Sequence, residues 1–187
     1  MATPLAQRVK RITLKTAPIY LALALLVYLA RFNAAAFALG MVLVALGEAI
    51  RIWAAGHLRK TKEVTTTGPY AYVKNPLYLG TFLIMVGFCA MASNGWLLVL
   101  GTATFLIYYA PFKKKREGGR LREHFGPAWD DYDHAVPDYL PRLTPYPGRG
   151  TRHWAAAQFA ENSEGGTLVA VGVGVVILSL RFLIGLG

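Results

Sequence analysis

The sequence predicts an all-α, polytopic membrane protein with about five transmembrane helices. Composition, apolar segments and the placement of charges each predict this class. Hydrophobic residues make up 55% of the 187-residue chain and charged residues 16%, whereas a soluble domain carries about 25% charged residues. The mean hydropathy is +0.37. This composition excludes a disordered chain, a collagen-like fibre and a disulfide scaffold, and the single cysteine, Cys89, cannot form an internal disulfide.

Five apolar segments are the predicted transmembrane helices. A span needs about 20 residues, or somewhat fewer where flanking basic side chains reach the interface. The first four segments are short, but the second can extend forward through Ala55, which places Arg51 within it. The five segments are Thr16–Ala30, Ala34–Ile50, Leu77–Ala92, Trp96–Phe112 and Thr167–Leu186.

The connections between these segments set the topology. Residues 31–33 and 93–95 are very short links, so each predicts an antiparallel hairpin, whereas Gly56–Pro76 and Lys113–Gly166 are long and polar. With the N-terminus in the cytoplasm, 18 of the 20 Lys and Arg residues lie on that side, all except Arg31 and Arg181. The positive-inside rule therefore favours this orientation, and it explains the net charge of +10 without a nucleic-acid partner.

Common catalytic and metal-binding motifs do not occur in the sequence. There is no G-x-x-x-x-G-K-[ST] phosphate loop, no G-x-S-x-G nucleophile elbow and no H-E-x-x-H metal motif. The four histidines are too scattered for a metal pair on one helix. We therefore predict no metal site. The candidate site residues are those of the two polar segments at the cytoplasmic face.

The first of these segments, Thr67–Gly80, opens the third apolar helix. Gly68 and Pro69 form a turn signal, and Pro76 suits the first turn of a helix. The start of a helix carries unpaired N–H groups and a partial positive charge, which can bind an anionic group such as a carboxylate. Nearby tyrosines offer ring faces and hydroxyls, although an interfacial tyrosine belt would look the same.

The second segment, Lys113–Gly126, follows the fourth apolar helix. Glu117 is one acid among six basic residues, and its role is either ligand binding or charge compensation within a helix. Gly118 and Gly119 would each cost a helix about 1 kcal/mol. They indicate either the close approach of a ligand or a plain helix break.

Together, the two segments resemble the motifs of the isoprenylcysteine carboxyl methyltransferase family, which is related to the phospholipid N-methyltransferases. The family's first motif, G-P-Y-x-x-x-R-H-P-x-Y-x-G, corresponds to residues 68–80. Its second, E-E-x-x-L-x-x-x-F-G-x-x-Y-x-x-Y, corresponds to residues 117–132. This chain departs from the motifs at Lys74-Asn75 for Arg-His, at Gly118 for the second Glu and at Trp129 for the first Tyr. Asn can replace one hydrogen bond of His but cannot become cationic.

The resemblance implies a bacterial-type methyltransferase that uses S-adenosyl-L-methionine. The apolar segments and the two motifs divide the chain into a four-helix transmembrane region (1–112), a cytoplasmic cofactor-binding segment (113–150) and a linker with the fifth helix (151–187), the last of which lies outside the resemblance. The expected location is the bacterial inner membrane, with the site facing the cytoplasm. The residues expected to bind the cofactor are Gly68, Pro69, Tyr70, Lys74, Asn75, Pro76, Tyr78, Leu79, Gly80, Glu117 and Leu121.

The methyl acceptor is expected to be a lipid-like or isoprenoid-linked molecule that enters from the bilayer. Glu48 and Arg51 lie three residues apart on one face of the second helix. Charges inside a membrane are usually functional or paired, so these two are the predicted catalytic residues, with a mutual salt bridge as the alternative. A carboxylate acceptor needs no base. Because we find no strong base, carboxylate O-methylation is favoured, or methylation of an amine that is already basic.

Two other functions remain possible at this stage. Membrane reductases of the sterol-reductase type also place a nucleotide, NADPH, at a cytoplasmic helix bundle, although Glu117, Leu121 and Phe125-Gly126 argue against that class. The substitutions at Asn75 and Gly118 also allow a non-catalytic relative that binds lipid.

Overall fold

The computed structural model describes residues 21–60 and 62–185, and it contains helices and no strand in those ranges. The part of the first predicted span before residue 21 lies outside the described residues. The elements are α1 (21–28), α2 (Ala34–His57), a 3-10 turn (Gly68–Ala71), α3 (Pro76–Met91), α4 (Gly95–Ala103), a π-helical stretch (Thr104–Tyr109), α5 (Ala110–Phe125), α6 (Pro127–Ala135), α7 (Ala156–Glu161) and α8 (Gly165–Gly185).

Two of the described helices, α2 and α8, are long and apolar enough to cross a membrane. The apolar helices Pro76–Met91 and Gly95–Ile107 are shorter. Large apolar side chains on α2 and α8, among them Leu39, Val42, Val176 and Leu180, are exposed, as lipid-facing residues would be. The predicted count of five spans is therefore not confirmed, whereas the all-helical fold is.

Both short links join consecutive helices directly, and they lie together, since the Asn33 amide donates to the Ser93 hydroxyl at 3.1 Å. The side chain of Asn33 caps α2 by accepting a hydrogen bond from the Ala36 amide at 3.0 Å. Asn94 caps α4 in the same way, and its amide group also donates to the Leu29 carbonyl at 3.0 Å. Asparagine is a preferred N-cap residue because its side-chain oxygen satisfies a free helical amide. The two long polar segments consequently start from the opposite end of the helices.

Helices α2 and α3 pack through glycines. A Cβ atom added at Gly40 would lie 2.5 Å from the Gly87 carbonyl oxygen, and one added at Gly47 would lie 2.7 Å from that of Gly80. The glycines recur every seven residues on both helices, so the two antiparallel backbones touch at two successive levels. Small residues are the usual means of close helix contact in membranes, where apolar burial gives little drive to association.

The second polar segment begins as a helix. Residues 95–125 are helical without interruption through α4, the π-helical stretch and α5, so the expected boundary after residue 112 lies inside this run. Gly118 and Gly119 sit within α5 and do not break it, and no described atom lies within 4 Å of a Cβ added at either. The chain turns only at Gly126, whose φ of +54° favours glycine.

After α6 the chain returns along the first motif. The backbone amides of Arg142 and Tyr146 donate to the carbonyls of Tyr72 and Ala71, at 3.0 and 2.8 Å. Further on, the Ala155 amide donates to the carbonyl of Gly56 at 3.1 Å. This return segment, residues 142–155, holds the 3-10 turn against the end of α2.

Candidate active site

A cavity of about 480 Å³ opens where α3 begins. The loop after α2, the first motif, α5 and α6 all contribute to its walls. Its volume falls in the range of small-molecule sites, about 300–1,000 Å³. The aromatic part of the wall consists of Tyr70, Tyr78, Phe125, Trp129 and Tyr132.

Seven of the eleven residues expected to bind the cofactor line this cavity: Tyr70, Lys74, Asn75, Pro76, Tyr78, Glu117 and Leu121. The other four, Gly68, Pro69, Leu79 and Gly80, are not part of its lining. Gly68 has a φ of +58°, and a Cβ there would lie 2.3 Å from the ring of His57. Gly80 faces Gly47 and the Arg51 side chain. These two glycines therefore serve close packing beside the cavity.

The two motifs meet directly at Tyr78 and Glu117. The Tyr78 hydroxyl donates a hydrogen bond to the Glu117 carboxylate, which joins the first turn of α3 to α5. Pro76 occupies the first turn of α3, and Asn75 precedes it without capping the helix through its side chain. The Asn75 amide group donates instead to the Asp138 carbonyl at 3.2 Å. The start of α3 thus faces the cavity with its partial positive charge uncapped by a side chain.

Lys74 lines the cavity, but its charge is compensated by two carboxylates. Its ammonium group lies 2.6 Å from Asp133 and 3.2 Å from Asp138. The Lys74 side chain is 7% exposed. Lys74 therefore ties the first motif to the end of α6, and this pairing is what the lysine provides in place of the planar guanidinium of the family motif.

Two buried tyrosines form one side of the cavity. The Tyr132 hydroxyl donates to the Tyr70 carbonyl at 2.8 Å. Burial raises the pKa of Tyr70 and of Tyr132 well above the ordinary value of 10.0. Both side chains are therefore neutral phenols at physiological pH. Neutral phenols of this kind are not bases, so their contribution to the cavity is aromatic surface and hydroxyl groups.

Several lining residues were missed by the sequence prediction. Phe125, Trp129 and Tyr132 stand in the second motif but were not among the expected binding residues. Arg59, Lys60 and Glu63 come from the loop after α2, which carries no motif. Their one sequence signal is position, since this charged loop runs directly into the first motif.

The two predicted catalytic residues lie beside the cavity and outside its lining. Arg51 donates to the Thr81 hydroxyl at 2.6 Å and to the Leu77 carbonyl at 3.3 Å, and it forms an ion pair with Glu164. Leu77 is part of the cavity wall. Glu48 is buried, and one of its carboxylate oxygens has no hydrogen-bond partner among the described residues. The ion-pair partner of Arg51 is thus Glu164, from the C-terminal segment. The sequence analysis had considered a salt bridge between Arg51 and Glu48 instead.

The comparison with protein families decides the relationship. The family model for phospholipid methyltransferases matches residues 35–128, which is half of the chain and includes most of both motifs. The chain belongs to the phospholipid methyltransferase family. The isoprenylcysteine carboxyl methyltransferase-like proteins belong to the same family, so the resemblance seen in the sequence is confirmed. Together with the two long apolar helices, the family indicates a membrane protein.

Two curated relatives are similar along most of the chain. The nickel-cobalt-cadmium resistance protein NccN of Alcaligenes xylosoxydans xylosoxydans is 32% identical over 70% of this chain and 61% of its own length. The cobalt-zinc-cadmium resistance protein CzcN of Cupriavidus metallidurans is 30% identical over 66% of this chain and 57% of its own length. The chain thus spans about three-fifths of the relatives it matches. No solved structure matches it.

The matched family segment covers most of the cavity but not all of it. It begins in α2 and ends at the start of α6, so Trp129, Tyr132, the return segment 142–155 and Glu164 lie beyond it. The residues that the structure describes contain no group of three or more His, Cys, Asp or Glu side chains placed to hold a metal ion.

Proposed function

We propose that this protein is an integral membrane methyltransferase that uses S-adenosyl-L-methionine and methylates a lipid-like or isoprenoid-linked acceptor. The observation that carries the proposal is the contact between Tyr78 and Glu117, which brings the two family motifs together in one cavity of suitable volume. The family model supports the reaction class independently.

The side chains of the cavity fit the parts of this cofactor. The uncapped start of α3 suits its carboxylate, and the Glu117 carboxylate suits its hydroxyl or ammonium groups. Leu121, Phe125 and Trp129 offer apolar and aromatic surface for the adenine ring. The faces of the buried tyrosines suit a sulfonium, since aromatic rings attract cations. When bound, the cofactor supplies an electrophilic methyl group.

The protein's part in such a reaction is mainly positioning. Holding two reactants in attack geometry is worth about 7–11 kcal/mol of the barrier. The Tyr78–Glu117 and Lys74–Asp133 contacts fix the cavity wall, and the buried tyrosines exclude water from one side. A carboxylate acceptor needs no proton removed, so we favour O-methylation. Arg51 and Glu48 would then lie towards the acceptor's head group.

We propose that the acceptor reaches the site from the bilayer. The cavity begins at the first turn of α3, an apolar helix, and the Arg51 group lies between α2 and α3. An acyl or prenyl tail would remain in lipid, where each buried methylene is worth about 0.8 kcal/mol. Methyl transfer should therefore rise along a series of acceptors that differ only in tail length. A rate independent of tail length would favour a soluble acceptor instead.

The decisive test is cofactor binding to the full chain in lipid nanodiscs. We expect S-adenosylhomocysteine to bind and NADPH not to bind. Replacing Glu117 by alanine should weaken binding about tenfold or more, because a hydrogen bond to a charged group contributes roughly 1.5–3 kcal/mol. Glu123→Ala, at an exposed position of the same helix, is the matched control and should bind normally. Binding of NADPH alone would favour a reductase, and binding of neither would favour a lipid-binding relative.

We also propose that the N-terminus and the cavity face the cytoplasm of a bacterial inner membrane. The two short links lie at one end of the helices and both polar segments start from the other, which agrees with the charge distribution. An Arg149→Cys variant should resist a membrane-impermeant thiol reagent in intact cells and react in inverted vesicles. The native Cys89 is buried, which keeps the background low. Labelling from outside would reverse the orientation.

The relatives favour a physiological role in metal tolerance. Both carry metal-resistance names, so we propose that methylation by this protein supports growth in the presence of nickel, cobalt, zinc or cadmium. Cells that lack the gene should tolerate these ions less, and the wild-type protein should restore tolerance. Restoration by the Glu117→Ala variant at equal abundance would separate metal tolerance from methyl transfer.

A further inference from the structure

Arg51, on α2, contacts the first turn of α3 from outside the cavity. One terminal nitrogen of its guanidinium donates to the Leu77 carbonyl and to the Thr81 hydroxyl. The Thr81 hydroxyl itself donates to the Leu77 carbonyl at 2.8 Å. Leu77 stands between Pro76 and Tyr78, and all three line the cavity. The guanidinium therefore contacts the first turn of α3, the part of this helix that borders the cavity.

The segment between α7 and α8 places the Glu164 carboxylate beside the Arg51 guanidinium. Asn162 anchors the end of α7, because its amide group donates to the carbonyls of Ala55 and Leu58 at 2.9 and 2.8 Å. Ser163 follows with a φ of +59°, a conformation that a residue with a side chain adopts at a cost. Glu164 comes next and pairs with Arg51, with side-chain exposures of 16% and 11%.

Burial makes this pair important for the position of Arg51. A buried cation without a hydrogen-bonded partner is strongly unfavourable. The two terminal nitrogens of Arg51 bond to Glu164, Thr81 and Leu77, so Glu164 is the carboxylate that holds the guanidinium in this position. Without the Glu164 carboxylate, the guanidinium would lose its ion pair, and the nearest compensation is the Glu48 carboxylate, one oxygen of which has no hydrogen-bond partner among the described residues. A shift of Arg51 toward Glu48 would release the Leu77 carbonyl.

We propose that Glu164 is a positioning residue of the cofactor pocket. It holds Arg51 against the Leu77 carbonyl and so fixes the first turn of α3. The proposal rests on the proposed function for the identity of the ligand. It also assigns a task to the segment after α6, since Glu164 lies outside the residues matched by the family model.

The test compares Glu164→Ala and Glu164→Gln in the full chain in nanodiscs. The glutamine keeps an oxygen for Arg51, whereas the alanine removes it. The control is Glu161→Ala, which removes an exposed carboxylate paired with Lys62 from the same segment. We measure the dissociation constant of S-adenosylhomocysteine well below the melting temperature, and hydrogen exchange of the amides of residues 77–82 without ligand.

We expect Glu164→Ala to weaken S-adenosylhomocysteine binding about tenfold, the effect of mutations that couple a distant group to a site. Glu164→Gln should bind within about threefold of wild type, since the hydrogen bond is kept. Exchange at residues 77–82 should be faster in Glu164→Ala than in the control. A purely structural role would lower the melting temperature and leave the dissociation constant unchanged.

Three results separate this proposal from the proposed function. Wild-type affinity in a folded Glu164→Ala protein overturns the positioning role alone. Unchanged exchange at residues 77–82 overturns it also, whatever the affinity. If the wild-type protein does not bind S-adenosylhomocysteine, the proposed function fails, and the exchange measurement still decides whether Glu164 fixes α3. Should the alanine variant not fold, Glu164→Ser, which also removes the carboxylate, gives the same two readings, and unchanged affinity and exchange in it overturn the positioning role.

Discussion

Helix α3 belongs to two regions that are built in opposite ways. Along its length it packs on α2 through glycines, with backbone against backbone at Gly47–Gly80 and Gly40–Gly87. At its start it borders a cavity whose walls are side chains from four separate parts of the chain. The first region depends on the absence of side chains, and the second depends on their chemistry.

This difference teaches where a mutation should act. At the α2–α3 interface an added atom has no space, so a substitution should change folding before it changes chemistry. At the cavity, a deleted atom leaves space that a ligand or water can fill, so a substitution should change binding more than stability. The following predictions, from the largest expected effect to the smallest, test that division.

Enlarging Gly47 should have the largest effect. A Cβ there would lie 2.7 Å from the Gly80 carbonyl oxygen, so leucine would force the two helices apart. Overpacking of this kind costs about 1–3 kcal/mol, and more where backbone must move. We expect Gly47→Leu to give little folded protein by size-exclusion chromatography. Gly172→Leu on α8, where the space around the glycine is open, should give normal yield. Equal yields would show that the glycine contact is dispensable.

Lys74 lines the cavity, but its ammonium is paired with two carboxylates rather than left for a ligand, so its removal should act on stability, at the link between the first motif and α6. Lys74→Met keeps most of the apolar side chain but leaves Asp133 and Asp138 without their cation. Because both carboxylates are only partly buried, we expect about 2 kcal/mol of lost stability. Thermal unfolding measures the loss, and Lys62→Met, which breaks an exposed pair with Glu161, is the control. Similar small shifts in both variants would contradict a structural role for Lys74.

Tyr78→Phe should weaken ligand binding and leave the fold intact. The substitution removes only the hydroxyl that donates to Glu117. We expect S-adenosylhomocysteine affinity to fall about three- to tenfold, in line with about 1 kcal/mol for one hydrogen bond. Isothermal titration measures it, with Tyr28→Phe on exposed α1 as the control. A loss of folded protein instead would show that Tyr78 supports the fold, as the glycines between α2 and α3 do.

The ion pair of Glu63 and Arg152 should give a small dependence of stability on pH. The hydrogen bond from Arg152 lowers the pKa of Glu63 below its ordinary value of 4.5. The contribution is therefore present above the ordinary pKa and is lost as pH falls through the lowered value. Both side chains are partly exposed, so we expect less than about 1 kcal/mol. Glu63→Gln should reduce the fall in melting temperature between about pH 7 and pH 3, whereas Glu123→Gln should not.

Local signals in the sequence were enough to predict the helical class, the two short links and the start of α3. The links 31–33 and 93–95 follow from the spacing of the apolar segments, and Pro76 marks the start of α3 because its ring suits a first turn. The asparagine caps at Asn33 and Asn94 became visible only in the structure. The predicted end of the fourth helix was less accurate. The helix continues to Phe125, beyond the predicted apolar span. Residues 113–125 are mostly polar, so hydropathy gave no signal that the helix continues.

The sequence predicted the cavity only in part, because only some of its residues belong to local motifs. Tyr78 and Glu117 belong to motifs that can be read along the chain, and the structure brings them into contact. Arg59 and Trp129 line the same cavity. Which side chains of this loop and of α6 face the cavity depends on the backbone turn at Gly126 and on the path of the return segment. Neither the direction of that turn nor that path can be derived from a local sequence pattern.

What the sequence by itself determined is the helical class, the short turns, the excess of positive charge near both polar segments and the two motifs that identify the family. Each follows from residues close together in the chain or from composition. The tertiary structure alone decided that Gly80 packs against α2, that Lys74 pairs with two carboxylates and that Glu164 is the partner of Arg51. Arg51 and Glu164 are 113 residues apart. Such a pair depends on how α7 and α8 meet α2, and helix periodicity carries no information about that meeting.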